Sequence, residues 1–283
     1  MANSINVDYV LVLEWLNKGD LRTGAALRDR LRRRGVPVEY VRCHHSEDVR
    51  AALECAARDV SRRGAPIVHI ESHGVDPHAI DSSQSAFGAG TDCVRWATFG
   101  HWLAALNAAS DFNILLVGAA CWGASAAYAF RVDQSVPFMG CIGFKTSIRE
   151  ASLRDAMLEL HRSLLVDGNV AGAVSSAQLE LHDASEKLAF ISVTQLARMT
   201  LAGLCRKTMD LGAIAALADL REQDLMDHPE LRQLLELYVR RATVEIWDKW
   251  FPPRVQARSP AYRLDWPRRH SSATLSADDY HRG

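Results

Sequence analysis

Two apolar runs indicate how this chain folds: Pro66-Ile-Val-His-Ile-Glu-Ser-His-Gly74 and Asn113-Ile-Leu-Leu-Val-Gly-Ala-Ala-Cys-Trp-Gly123. Near-continuous apolar runs of this length are typical of parallel strands that are covered on both faces. In such a sheet, functional groups collect just past the carboxyl ends of the strands. The two runs therefore predict a parallel sheet that carries His73 and Cys121 at its carboxyl edge.

Strand-like and helix-like segments alternate on either side of these runs, which favours an α/β fold with helices on both faces of the sheet. Six main strands are predicted at residues 9–13, 38–41, 66–70, 113–117, 138–144 and 188–193, with a short edge strand at 93–98. Helices are predicted at residues 21–34, 47–63, 100–109, 124–130, 152–166 and 170–181. The pattern predicts a three-layer sandwich around a mostly parallel, six-stranded sheet.

Beyond residue 195 the pattern is wholly helical. Pro229 suits the first position of a helix, and an apolar stripe follows it at helical spacing. That stripe is most simply a surface packed onto the sheet domain. The last 32 residues hold four of the nine prolines and show little periodicity. We therefore predict a sheet domain at residues 1–195, a helical appendage at 196–251 and a flexible tail at 252–283.

Composition excludes several classes of protein. The chain has 283 residues, a net charge of −1, 48% hydrophobic residues and 24% charged residues. Near-zero charge gives no electrostatic reason to expect direct nucleic-acid binding. No apolar run reaches membrane-spanning length, and the amino terminus lacks the pattern of a secretory signal. The six scattered cysteines, none in a CxxC pair, then indicate reduced thiols in a cytoplasmic protein.

His73 and Cys121 have the chemistry of a catalytic dyad. They are 48 residues apart, a separation that fits one loop, one helix and one strand. A cysteine at the start of a helix has its thiolate favoured by exposed amides, and an imidazole can take and return its proton. The backbone amides of Gly74 and Cys121 are candidate donors to an oxyanion. This chemistry needs no metal and no cofactor.

The pattern resembles the caspase-like cysteine peptidases of clan CD, with the bacterial caspase-like and CHAT-domain proteases most similar. They pair a His-Gly after one strand with an Ala-Cys after the next, although here Ser72 replaces their usual first glycine. The resemblance covers residues 7–195. It implies a thiol protease that hydrolyses peptide bonds in a protein or peptide substrate. It also implies a role in bacterial defence, antiviral defence included, gated by processing or by a regulatory protein partner, for which the helical carboxyl third is a candidate surface.

The specificity of this peptidase stays open. Relatives that cleave after basic residues often carry Asp two positions before the cysteine, where this chain has Ala119. Glu71, Asp76 and Asp92 are nearby acids, but each is expected to be a solvated loop carboxylate. The substrate-binding residues are therefore unassigned.

Three other interpretations remain. Ala119-Ala-Cys-Trp-Gly123 resembles a degenerate nucleophile elbow of a cysteine hydrolase or an amidotransferase-like enzyme, which would need His161 or His182 as its base. Both are expected within helices, His161 partly exposed. A catalytically silent scaffold of the same fold is the second alternative. A metal site is the third, but neither Cys43-His44-His45 nor the group His69, His73 and His78 has a metal-ligand spacing, and none is expected. His69 is expected to be a satisfied core residue, and the five cysteines other than Cys121 to be core residues too.

Overall fold

The structure, a computed structural model, describes residues 3–76, 85–129, 135–193, 196 and 262–265. The strands are β1 (Asn3–Asn6), β2 (Tyr9–Trp15), β3 (Val38–Arg42), β4 (Pro66–Gly74), β5 (Ala86–Ala89), β6 (Asp92–Arg95), β7 (Leu115–Ala119), β8 (Gly140–Phe144), β9 (Leu188–Ser192) and β10 (Tyr262–Asp265). The helices are α1 (Thr23–Arg33), α2 (Ser46–Arg63), α3 (Trp96–Ala109), α4 (Glu150–Asp167) and α5 (Val170–Leu179), and a 3₁₀ helix covers Gly123–Ala129.

The main sheet has the strand order β3-β2-β4-β7-β8-β9. All neighbours along this path are parallel except β8 and β9, which run antiparallel. The prediction of an α/β fold with a mostly parallel sheet is confirmed. Since β2, β4, β7 and β8 are neighbours and run in one direction, the loops that follow them meet at one edge.

Helices cover both faces of the sheet, because its strands present apolar side chains to both. Val10 and Val12 of β2 face the cluster that contains α1, α4 and α5. Leu11 and Leu13 alternate with them and face the cluster that contains α2 and α3. The arrangement is that of three layers. The site described below lies on the α1–α4 side, which carries the odd-numbered residues of β4.

The main difference from the prediction is a hairpin between β4 and α3. Strands β5 and β6 pair antiparallel with each other, and β5 also pairs with the end of β4. Strand β5 was not predicted from the sequence, and the edge strand predicted at 93–98 ends at Arg95, because α3 begins at Trp96. Three of the four residues of β5 are Ala or Gly, which have little strand propensity, and Phe87 alone gives no alternating pattern. Gly88 lets the backbone of Asp92 and Cys93 approach, because a Cβ there would lie 2.2 Å from the Asp92 oxygen.

The predicted helical appendage at 196–251 lies outside the described residues except for Leu196, which packs against the α2–α3 core. Four residues of the predicted tail form β10, which pairs in parallel with β1, and the rest of the tail lies outside the described part. Among the helices that the structure describes, none combines the length and the apolar character needed to cross a membrane.

Candidate active site at the carboxyl edge of the sheet

Four neighbouring strands bring their following residues to one place. Asp20 follows β2, His73 is near the end of β4, Cys121 follows β7, and Ile148 follows β8. This is the edge where parallel α/β sheets carry their functional groups. The two predicted dyad residues therefore occupy adjacent strand ends in the middle of the sheet.

Gly74 and Cys121 touch through their backbones. A Cβ placed on Gly74 would lie 1.6 Å from the carbonyl oxygen of Cys121, far inside contact distance. Only glycine permits this approach. The contact holds the His73 segment against the Cys121 segment and explains why a glycine follows His73.

The turn that carries Cys121 is packed backbone against backbone. A Cβ on Gly123 would lie 2.1 Å from the Gly118 oxygen, and one on Gly143 would lie 2.4 Å from the Ala124 nitrogen. Trp122 has φ of 57°, a left-handed conformation that is uncommon for a bulky residue. Its N–H donates to the carbonyl of Thr146 at 3.0 Å. Close packing and this bond hold Cys121 in a sharp turn between β7 and the 3₁₀ helix.

The Cys121 thiol is half-buried and contacts the loop after β8. Its Sγ accepts the N–H of Ile148 at 3.4 Å and lies 3.7 Å from the carbonyl oxygen of the same residue. Both polar backbone groups of Ile148 therefore contact the sulfur and hold it in place. Ile148 was not among the site residues predicted from the sequence.

The His73 imidazole is half-exposed and contacts the loop after β2. Its Nε2 lies 2.7 Å from Oδ2 of Asp20 and 3.1 Å from Nδ2 of Asn17. Within the described residues, no hydrogen bond joins His73 to Cys121. The structure thus brings the two backbones together, while each side chain binds a neighbour of its own.

The two amides predicted to stabilise an oxyanion differ in their surroundings. Val75 donates its N–H to Ala86 at 3.0 Å, so Gly74, one residue earlier, is in a non-hydrogen-bonded pair with Phe87. Its N–H therefore faces away from β5. Among the backbone hydrogen bonds of the described loops and turns, the Cys121 N–H donates to none. Both amides remain candidates for the oxyanion role.

Acidic residues near the site are used inside the protein. Glu71 is buried, not a solvated loop carboxylate as predicted, and it accepts the hydroxyl of Thr23. Burial, together with the negative charge of Glu14, raises the pKa of Glu71 well above its usual range. Glu14 accepts from Arg22 at 2.9 Å and from the Ala25 N–H at 2.9 Å. Glu71 and Glu14, which lie on strands, thus accept hydrogen bonds from the start of α1, which has no acidic residue in its own first turn.

Asp92 and Asp76, the other two acids predicted to be solvated loop carboxylates, are both partly buried. Asp92 is a partly buried residue that accepts the N–H of Ser46 at 2.8 Å and so supports the start of α2. Asp76 is half-buried and has an interaction partner. In the described part of the chain, Asp92 has no bond to Cys121 or His73.

His161 is fully buried, in contrast to the prediction of a partly exposed helix residue. Its Nε2 lies 3.2 Å from Nδ1 of His69, while Nδ1 of His161 and Nε2 of His69 have no hydrogen-bond partner among the residues that the structure describes. His69 is thus in the core, as predicted, but it is not fully satisfied. Burial lowers the pKa of His161 to about 4 and that of His69 well below its usual range.

The histidines needed by the elbow interpretation lie elsewhere. His161 is bound to His69, and His182 follows α5 rather than lying within it. The His182 ring is 3.6 Å from a carboxylate oxygen of Asp155. In the described part of the chain, neither histidine makes a bond to Cys121. This arrangement gives the elbow interpretation no base.

The residues of the two candidate metal clusters, Cys43-His44-His45 and the group His69, His73 and His78, differ in their surroundings. Cys43 is buried, whereas His45 is exposed and caps α2. His78 lies outside the described residues. No group of three or more His, Cys, Asp or Glu side chains among the residues described is arranged to hold a metal ion.

The cysteines separate into buried and exposed thiols. Cys43 and Cys141 are buried as predicted, but Cys55 and Cys93 are exposed, so the core prediction is wrong for those two. Cys205 lies outside the described residues. Cys55 is exposed on α2, and Cys93 is exposed on β6 of the β5–β6 hairpin.

Small thiol reagents should alkylate the exposed cysteines faster than the buried ones. Burial raises the pKa of Cys43 and of Cys141 to about 12. Because only the thiolate reacts, we expect both to be alkylated by iodoacetamide on the order of 10³-fold more slowly than Cys55 and Cys93. Peptide mass mapping over time measures the rates, and alkylation in guanidinium should equalise them. Fast alkylation of Cys43 or Cys141 in the native protein would contradict the described packing.

Asp20, Asn17 and Ile148 are the residues of this edge that sequence reasoning missed. A signal existed for the first two, because Asn17-Lys-Gly-Asp20 follows the first strand of the predicted sheet at the same edge as His73. Nothing in the residue types at 146–148 marked that loop.

In comparisons with protein families and with curated proteins, no family profile and no curated protein matches the chain.

Proposed function

We propose that the chain is a cysteine endopeptidase with a caspase-like three-layer fold, in which Cys121 is the nucleophile and His73 the general base and then acid. The observation that carries this proposal is the contact between Gly74 and the Cys121 carbonyl. It joins a histidine and a cysteine segment at the carboxyl ends of two adjacent parallel strands. Proximity of this kind is the first requirement for a dyad.

The reaction is a nucleophilic substitution at a peptide carbonyl. The Cys121 sulfur bonds to the carbonyl carbon, and its proton passes to His73, while the amides of Gly74 and Cys121 face the developing oxyanion. Cleavage of the C–N bond releases the amine, which takes the proton from His73. Water then hydrolyses the thioester, giving a carboxylic acid and the free thiol. The substrate is a protein or peptide of unassigned specificity.

The separate contacts of the two side chains support a gated enzyme. Cys121 is bound to Ile148, and His73 is bound to Asp20. Activation requires the thiol to leave Ile148 and approach the imidazole. Within this proposal, a regulatory protein partner acting through the carboxyl third favours that movement, in a cytoplasmic system for bacterial defence. Keeping the dyad unassembled until activation prevents the peptidase from cleaving the cell's own proteins.

A catalytically silent scaffold is the second candidate. The observation that favours it is the same lack of a bond between His73 and Cys121 within the described residues, since a binding module needs none. The two candidates differ in one measurable property. A peptidase has a Cys121 thiol whose reactivity depends on His73, whereas a scaffold does not.

The test is labelling with a library of peptidyl chloromethyl ketones, followed by mapping of the modified cysteine. We expect preferential labelling of Cys121 over Cys55 and Cys93, although those two are more exposed. Replacement His73→Ala should slow labelling of Cys121 by about 10²-fold or more, the usual contribution of a general base. His101→Ala is the matched control, because His101 is exposed on α3.

Two further variants complete the test. Cys121→Ser should abolish the peptide-directed label, and Cys93→Ser should leave it in place. Labelling that follows exposure alone, with Cys55 and Cys93 first and no effect of His73→Ala, would count against the peptidase. An intact fold with an unreactive Cys121, also after addition of cell extract, would favour the scaffold.

A further inference from the structure

The loop after β2 is built around the His73 imidazole. Oδ2 of Asp20 accepts two donors, Nε2 of His73 at 2.7 Å and the backbone N–H of Asn17 at 2.7 Å. The second bond closes a tight turn, which Gly19 permits with φ of 109°. The carboxylate is therefore fixed by its own loop before it meets the imidazole.

These contacts determine which ring nitrogen carries the proton. An ionised carboxylate can only accept, so the contact to Asp20 requires a proton on Nε2 of His73. A nitrogen that donates has no lone pair left to accept, so the side-chain amide of Asn17, whose Nδ2 lies 3.1 Å from Nε2, does not donate to it. In the neutral ring, the lone pair then lies on Nδ1. That nitrogen is the one able to take a proton from a thiol.

The charge of Asp20 is preserved despite its partial burial. Its side chain is 23% exposed, against 51% for His73. Burial works against the ionised form, but hydrogen bonds from His73 and from the Asn17 amide lower the pKa of Asp20 below its usual range. The carboxylate therefore stays ionised at neutral pH and can stabilise an imidazolium beside it.

We propose that Asp20 is the positioning residue of the dyad, holding His73 in the Nε2–H tautomer through the 2.7 Å contact so that Nδ1 is free to accept the Cys121 proton. This inference rests on the proposed function. It adds a third member to the pair found from the sequence. The role is that of the aspartate in Ser-His-Asp triads, where it fixes the tautomer and stabilises the imidazolium.

The test combines a spectroscopic and a kinetic measurement on the full chain. In ¹H–¹⁵N spectra of histidine-labelled protein, we expect neutral His73 as the Nε2–H tautomer. Asp20→Asn should shift it toward Nδ1–H, because the amide can donate to Nε2. The same variant should slow Cys121 labelling by peptidyl chloromethyl ketones on the order of 10²- to 10⁴-fold, with half-saturating reagent concentration little changed.

Two variants separate the loss of the Asp20 contact from general effects of substitution on the structure. Asp29→Asn makes the same substitution at an exposed ion pair on α1 and should change neither measurement. Asp20→Glu retains an acceptor and should restore the tautomer and part of the rate. A His73 tautomer that is Nδ1–H in the wild type, or that is unaffected by Asp20→Asn, overturns the inference whatever the enzyme does. A shifted tautomer with an unchanged labelling rate also overturns it. Absence of peptide-directed labelling in the wild type defeats the proposed function instead, while the tautomer measurement still reports on Asp20.

Discussion

Replacement Gly74→Ala is expected to disable the site, although it adds a single methyl group. The new Cβ would overlap the carbonyl oxygen of Cys121, a backbone atom held in a packed turn. One of the two segments must therefore move, and displacement of about 1 Å can cost 10²-fold in rate. We expect labelling of Cys121 by peptidyl chloromethyl ketones to fall by at least about 10²-fold. Overpacking of this kind should also lower the free energy of unfolding by about 1–3 kcal/mol.

Gly35→Ala is the matched control for stability. Gly35 has φ of 71° and open space around it, so alanine there suffers backbone strain without a collision. That strain costs roughly 1–2 kcal/mol, a loss similar to that expected for Gly74→Ala, but the labelling rate of Cys121 should be unchanged. Urea denaturation and the labelling assay measure the two quantities. Wild-type labelling in Gly74→Ala would mean that the contact does not hold the site together.

Acid is expected to destabilise the protein through its buried histidine pair. Both imidazoles are neutral in the core, and burial lowers the pKa of His161 from 6.5 to about 4. A histidine with a lowered pKa contributes stability that is present above pH 6.5 and is lost as the pH falls through its pKa in the folded protein. For His161 the loss is about 3 kcal/mol at the acid end of this range. His69 adds to it in the same direction.

Glu71 acts in the opposite direction. Its pKa is raised in the folded protein, so its stability contribution is present at low pH and is lost as the pH rises. Protonation of this carboxyl on acidification therefore offsets part of the loss from the histidines. We expect Glu71→Gln to make the acid loss steeper.

Urea denaturation between pH 7.5 and 4.5 tests the histidine pair. The double variant His69→Val/His161→Leu removes both rings, because replacing one would leave the other without its partner. We expect its free energy of unfolding to change less with pH than that of the wild type. His101→Asn, at an exposed position on α3, should keep the wild-type slope. An unchanged slope in the double variant would show that the pair is not the source of the acid effect.

Much of the fold could be predicted because its signals are local. Apolar runs identified β4 and β7, and helical spacing identified α2, α4 and α5, with their ends displaced by a few residues at most. Strand β5 was missed because Ala86, Gly88 and Ala89 have little strand propensity and Phe87 alone gives no apolar pattern. Its pairing with β6 depends instead on Gly88, which admits the backbone of Asp92 and Cys93.

Two residues of the candidate site, His73 and Cys121, could be predicted because they too are marked by local signals. His73 and Cys121 each end an apolar run, and the rule for parallel sheets places both at one edge. The burial of Glu71 and His161 could not be predicted, because both residue types are usually exposed at strand ends and on amphipathic helices. Their surroundings come from other segments, with Thr23 48 residues away from Glu71 and His69 92 residues away from His161.

The amino-acid sequence by itself determined the α/β class, the order of the strands along the chain and the placement of His73 and Cys121 at neighbouring strand ends. These follow from short-range periodicity and from the common direction of parallel strands. Only the tertiary structure decided that Gly74 meets the Cys121 carbonyl, that Asp20 holds His73 across 53 residues, and that Ile148 holds the thiol. Such contacts depend on where distant loops meet in space, and no local pattern encodes that distance.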